Sequence, residues 1–200
     1  MAAELKLVIQ HWELPVERLL RLVEEHQFDL YNDPMPSMAA LESYINDTFS
    51  TLFSLAAELT GWQIPEIEHL ARHAGLAQGM ARVVSAFPLD SSRRQLFLPL
   101  QVLESHRGGI EEAFSGTENP KVRAALDDLL GDARAHLDTA LTLLEGVPPE
   151  VRPVFLPLAL VARDRRRMSR ADTNLFTPST TSRLRTLWTL WRASRSELFS

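Results

Sequence analysis

The chain has no cysteine among its 200 residues, which removes disulfides, thiolate metal sites and cysteine nucleophiles together. It also lacks a membrane-spanning run: the longest apolar stretch, Val154 to Ala162, is far short of the roughly 20 residues that cross a bilayer. The opening segment from Met1 to Lys6 carries Glu4 ahead of any apolar core, so it reads as neither a secretory signal nor a transit peptide. No period-two alternation marks a strand and no Asn-Gly or Asp-Gly pair marks a hairpin. Repeats and low-complexity tracts are missing as well. These absences leave an all-α, single-domain helical bundle over residues 1–200, in a reducing cytoplasm and peripheral on the inner membrane at most.

What is present fits one core. Hydrophobic residues make up 45% of the chain and charged residues 24%, enough to bury a single interior. The net charge of −5 hides a strong asymmetry: the last fifty residues hold ten arginines against three acids, the first 150 eleven basic residues against 23 acidic ones. A basic tail on an acidic body points to an anionic surface or an acidic partner.

Helical signals run throughout. Pro15 opens a helix whose apolar side is Leu19, Leu20, Val23 and Phe28, extending to about Leu30; Tyr31 to Pro36 is a loop. Ser37 caps a long helix ending at Gly61, marked by Leu41, Tyr44, Ile45, Thr48, Leu52 and Leu55, and expected to be central. A helix from Pro65 to about Ala86 carries a small-residue face of Ala71, Gly75 and Gly79, and a shorter one covers Ser91 to Glu104. Asn119-Pro120 starts a strong helix to Leu144; another runs on to about Met168, and the last from Ser179 to about Leu198.

Several side-chain sets are candidates for chemistry. Glu25 and Asp29 are four apart, so two carboxylates can share a helix face, although such a pair is ordinarily solvated. His69 and His73 have zinc-compatible spacing, but without a His-Glu-x-x-His motif a surface pair is the simpler reading. The small-residue face suits either tight helix packing or the wall of an apolar cavity. In the tail, Leu184, Leu187, Trp188 and Trp191 share one side with arginines around it. Such a helix packs its tryptophans into a core, the reading preferred here, or lies in a membrane interface. No nucleic-acid motif accompanies the arginines.

The stretch from Gly75 to Pro99, ending Phe97-Leu98-Pro99, together with Phe28-Asp29-Leu30-Tyr31, Leu41-Glu42-Ser43-Tyr44 and Val151 to Val161, resembles the squalene/phytoene synthase family over almost the whole chain. It is similar to the divergent branch containing a mitochondrial complex I assembly factor. The resemblance implies an isoprenoid synthase-type bundle, here shortened at its N-terminus, where the family's first aspartate-rich motif would lie. Substrate-facing positions carried over from the family fall on Tyr44, Gly75, Gln78, Gly79, Arg82 and Arg93, and metal-facing positions on Asp90 and Asp29. The family's second aspartate pair falls on Ala86 and Asp90, and alanine cannot ligate a metal. Pro88 stands between them and is expected to break the helix, so that the two do not stack as i and i+4 neighbours. A non-catalytic relative is therefore expected, without a cofactor, binding a prenyl lipid or a membrane surface through its basic C-terminal helices, or a protein partner in assembly. The alternative is a Mg²⁺-dependent transferase that joins two prenyl diphosphates head to head.

Overall fold

The structure is a computed structural model that describes residues 2–62, 64–179 and 181–199. Ten α-helices occur among them: α1 (Ala2–His11), α2 (Val16–Glu25), α3 (Met38–Ile45), α4 (Thr51–Glu58), α5 (Pro65–Ser92), α6 (Leu100–Ser105), α7 (Ile110–Phe114), α8 (Pro120–Glu145), α9 (Leu158–Met168) and α10 (Arg183–Ala193). No strand is found among the described residues.

Local chemistry explains where the helices start. Ser37 accepts a hydrogen bond from Ala40 N at 3.2 Å, and Asn119 Oδ1 accepts from Lys121 N at 2.9 Å and Val122 N at 3.4 Å, each satisfying an otherwise orphaned N–H. Pro65 and Pro120 occupy the first turn, where a missing N–H costs nothing. Gly61 closes the turn after α4 at φ +83°, a conformation that favours glycine.

The centre of the bundle is α5, not the 37–61 segment. Its buried residues, among them Leu70, Ala74, Leu76, Met80 and Val84, lie all round the helix. It packs along α8, which turns Val122, Leu126, Leu129, Ala133, Leu137 and Leu144 inward. Small side chains on α5 let neighbours close in from several directions, and that gives α5 the central place. The 37–61 segment is continuous but irregular: α3 and α4 are joined by one π turn (Asn46–Ser50). Pro88 does not break α5, which continues to Ser92. The hydrogen bond lost at proline is offset by tertiary packing: Phe87 meets Phe176 edge to face at 5.7 Å, and the buried Ser91 hydroxyl donates to Ala113 O at 2.7 Å. The helix expected over Ser91–Glu104 is only the short α6; residues 93–99 form a loop.

At the N-terminus, the apolar side expected of α2 is not buried: Leu20 is 56% and Val23 64% exposed. The helix gives way to a 3₁₀ turn (His26–Leu30), whose tighter winding takes Glu25 and Asp29 off a common α-helical face.

His69 and His73 are more than a surface pair. His73 Nδ1 lies 2.9 Å from His136 Nδ1, and His73 Nε2 lies 3.1 Å from His69 Nε2, a chain of rings along the α5–α8 seam. Burial, then the neighbouring His136, His69 and Arg72, hold His73 below the usual imidazole range; burial and Arg72 do the same for His136 against the opposing pull of Glu42 and Asp132. Bases depressed in the fold leave stability unaffected above the unfolded value near 6.5 and remove it as pH falls below, because the unfolded chain takes up protons first. The melting temperature is therefore expected to fall as pH drops through the window below about 6.5. Thermal scans of the His73→Phe/His136→Phe variant should show a shallower fall over that window; an identical slope would remove these rings as the cause.

Candidate functional site

A cavity of about 570 Å³ opens where α3, the π turn and the second half of α5 meet the loops before α3 and after α5. Its buried wall is apolar and comes from Ile45, Gly79, Val83 and Ala86. Phe49, Tyr44 and Phe97 add aromatic surface, with Tyr44 and Phe97 rings 5.8 Å apart and Phe28 packed behind both at 5.9 and 5.7 Å. Polar groups are contributed by His26, Asp29, Asn32, Arg82, Asp90, Arg93 and Gln95. Apolar, aromatic and charged groups thus line the same cavity.

Each polar group has a local reason for its place. Tyr44 Oη donates to Asp29 Oδ1 at 2.7 Å. Burial foremost, and then that bond and the Asp29 charge, push the phenol far above its ordinary range. Gln95 Nε2 donates to Asp29 O at 2.7 Å, tying the 3₁₀ turn to the loop after α5. That loop is anchored again by Met35 N to Leu96 O and Leu100 N to Met35 O, both 2.8 Å. Asp90 O accepts from Arg93 N at 3.0 Å and Gln95 N at 2.9 Å, so Arg93 folds back beside the Asp90 side chain. Burial raises the Asp90 carboxyl, opposed by the Arg82 and Arg93 charges and reinforced by Asp29. Arg94 is directed away: at φ +56° it pairs with Glu111 at 2.6 Å and covers the Phe114 ring.

Of the positions named from sequence, Tyr44, Gly79, Arg82, Arg93, Asp90 and Asp29 line this one cavity, together with Ala86. Gly75 and Gln78 do not line it. Gly75 is a packing position: a Cβ there would lie 2.4 Å from Ser50 N and 2.5 Å from Ser50 Cα. Gly79 does both jobs, lining the cavity while a Cβ on it would meet Ile45 side-chain atoms at 2.6–2.9 Å. Sequence reasoning missed His26, Asn32, Gln95 and Phe97 as lining residues. The first two flank the Phe28–Tyr31 segment and the last two precede Leu98-Pro99, so proximity to those motifs was the available signal.

A diphosphate-bound Mg²⁺ in this cavity would have Asp29 and Asp90 as its carboxylates. Such an ion takes one or two carboxylates plus phosphate oxygens. Here one oxygen of Asp29 accepts from the Tyr44 hydroxyl, and Asp90 feels the charges of Arg82 and Arg93. Ala86 offers no oxygen. Among the described residues no group of three or more His, Cys, Asp or Glu is placed to hold a metal ion.

The sequence profile described as squalene/phytoene synthase matches residues 1–192. The chain is 32% identical over 179 residues to the rat protein named NADH dehydrogenase (ubiquinone) complex I, assembly factor 6, covering 90% of this chain and 54% of that one. It is 28% identical over 127 residues to phytoene synthase from Thermus thermophilus, 64% of this chain and 44% of that enzyme. The chain thus spans about half the length of the curated relatives it matches. In structure it is similar to squalene synthase HpnC from Alicyclobacillus acidocaldarius, with a TM-score of 0.71 and 21% identity over 82% of this chain and 64% of that one. That likeness establishes the isoprenoid synthase-type fold.

Proposed function

Because the chain belongs to the squalene/phytoene synthase family, we propose that it is a non-catalytic member, a prenyl-lipid-binding or respiratory-complex assembly module working at a membrane face. The observation that carries this reading is the charge pattern of the cavity. Its two carboxylates are matched by Arg82 and Arg93, and alanine stands at position 86 where the family resemblance places an acid. The apolar and aromatic wall that would receive a prenyl tail is retained. An assembly role draws its support from similarity to relatives named as complex I assembly factors. Among the described residues no helix is long and apolar enough to cross a membrane.

In this reading the arginines do what the metal does in an active synthase: they meet the anionic head directly. A planar guanidinium forms paired hydrogen bonds to phosphate oxygens. Incubation with radiolabelled farnesyl and geranylgeranyl diphosphate, with Mg²⁺ or with EDTA, tests it. Binding that survives EDTA with no condensed product is the expected result. Turnover would overturn the proposal in favour of a prenyltransferase, and absence of both binding and turnover would leave a helical interaction protein with no lipid ligand.

Arg93→Gln is expected to weaken farnesyl diphosphate binding by roughly tenfold to a hundredfold, the value of a lost charge-assisted hydrogen bond, and to leave farnesol binding unchanged. Isothermal titration with both ligands makes the comparison. Equal losses for the two would place Arg93 in the structure of the loop and not in head recognition.

A further inference from the structure

The apolar side of helix α10, like that of α2, is uncovered against expectation. Leu184, Leu187, Trp188 and Trp191 fall at i, i+3, i+4 and i+7, one face of a helix, and are 77%, 62%, 60% and 47% exposed. None of the α10 residues is buried. The core-packing reading of these tryptophans is therefore wrong: the helix rests on α9, and among the described residues its Leu/Trp side stays exposed. The two indoles stack on each other at 4.9 Å instead, and Arg195 covers Trp191 at 4.4 Å.

Beside this face, between α9 and α10, runs a groove of about 680 Å³. Its single acid, Asp164, is already paired with Arg163 at 2.9 Å. Arg166, Arg167, Arg170, Arg185 and Arg192 line the rest, with no second acid among the lining residues. Of the lining arginines, Arg167 has an Nε that is shielded from solvent without a hydrogen-bond partner, a condition that costs free energy. Net positive charge in a concave site and an adjoining exposed Leu/Trp face are two separate observations with one common solution.

We propose that the α9–α10 face docks on an anionic phospholipid bilayer, the groove taking lipid phosphates while Leu184, Leu187, Trp188 and Trp191 enter the headgroup–acyl boundary. Amphipathic helices of this make-up lie in that plane, and tryptophan is enriched there. The inference rests on the reading of a protein at a membrane face and is independent of what the α5 cavity holds.

Sedimentation of the full chain with vesicles tests it. Binding to phosphatidylcholine vesicles containing phosphatidylglycerol, little binding to phosphatidylcholine alone, and release by salt are expected. Each arginine near an anionic surface is worth about a fivefold gain, so Arg166→Gln/Arg170→Gln/Arg185→Gln should bind on the order of a hundredfold more weakly with an unchanged melting temperature. Trp188→Ser should lower affinity and leave the salt dependence intact. Equal binding to neutral vesicles, undiminished binding by the triple variant, preference for single-stranded RNA over vesicles, or displacement from vesicles by millimolar inorganic phosphate would each overturn the proposal. Prenyl diphosphate binding by the triple variant should stay at the wild-type level, which separates failure here from failure of the cavity reading.

Discussion

Gly75→Ala is expected to cost about 3 kcal/mol, the upper end of the usual range for overpacking a close contact, and to lower the melting temperature by roughly 10 °C for a chain of this size. The added methyl would lie 2.2 Å from Ser50 Oγ, 2.4 Å from Ser50 N and 2.5 Å from Ser50 Cα. Two of these atoms are backbone, so no rotamer change relieves the clash. Ser50 is itself fixed, its hydroxyl placed 3.1 Å from Asn46 Oδ1 and 3.2 Å from Arg72 O. It is carried toward α5 by the π turn, which inserts the extra residue that brings the two helices together. Gly131→Ala is the control: in mid-helix on α8, with nothing within 4 Å of the new Cβ, it should stabilise by about 0.5–1 kcal/mol. Thermal unfolding of the two variants measures opposite signs for one chemical change. A melting temperature for Gly75→Ala within two degrees of wild type would mean that α5 and the π turn are less tightly packed than described.

Phe155→Ala should cost about 3–5 kcal/mol, the range for emptying a fully buried aromatic site. Phe155 has no exposed surface and stacks on Phe53 with ring centroids 5.3 Å apart and planes within 5°. It sits on a 3₁₀ turn (Arg152–Phe155) that leads from α8 into α9, so the hole opens between α4 and the C-terminal helices. Surrounding helices cannot collapse into it without shifting α9. Urea unfolding should show a lower midpoint with an unchanged slope; a changed slope would indicate that the C-terminal helices had separated from the rest. Such separation would also disturb vesicle binding while leaving prenyl binding intact.

Helix identity and most helix starts were readable because they depend on groups close in the chain. Ser37 and Asn119 cap where the pattern places them, Pro65 and Pro120 open helices, and the small-residue face on α5 is real. Six of the eight positions carried over from the family line one cavity: Gly79, Arg82 and Asp90 from α5, and Tyr44, Asp29 and Arg93 from α3, the 3₁₀ turn and the loop after α5, which the fold brings to the same place. Pro88 was misread for the opposite reason. Local rules count the lost N–H and the steric clash, but not the packing of Phe87 and Ser91 that holds the helix through the proline.

Composition and periodicity thus settled that the chain is helical, and the sequence that position 86 carries no acid, while the small-residue helix read equally as a packing face or a cavity wall. Tertiary structure alone settled which glycine packs and which lines the cavity, that Asp29 turns to Tyr44 while Glu25 does not line the site, and that the C-terminal tryptophans face outward. The physical reason is range. Backbone hydrogen bonding and side-chain period are set by neighbours within a turn, whereas burial depends on whether a distant element covers a face, and an apolar stripe reads the same in sequence with or without its cover.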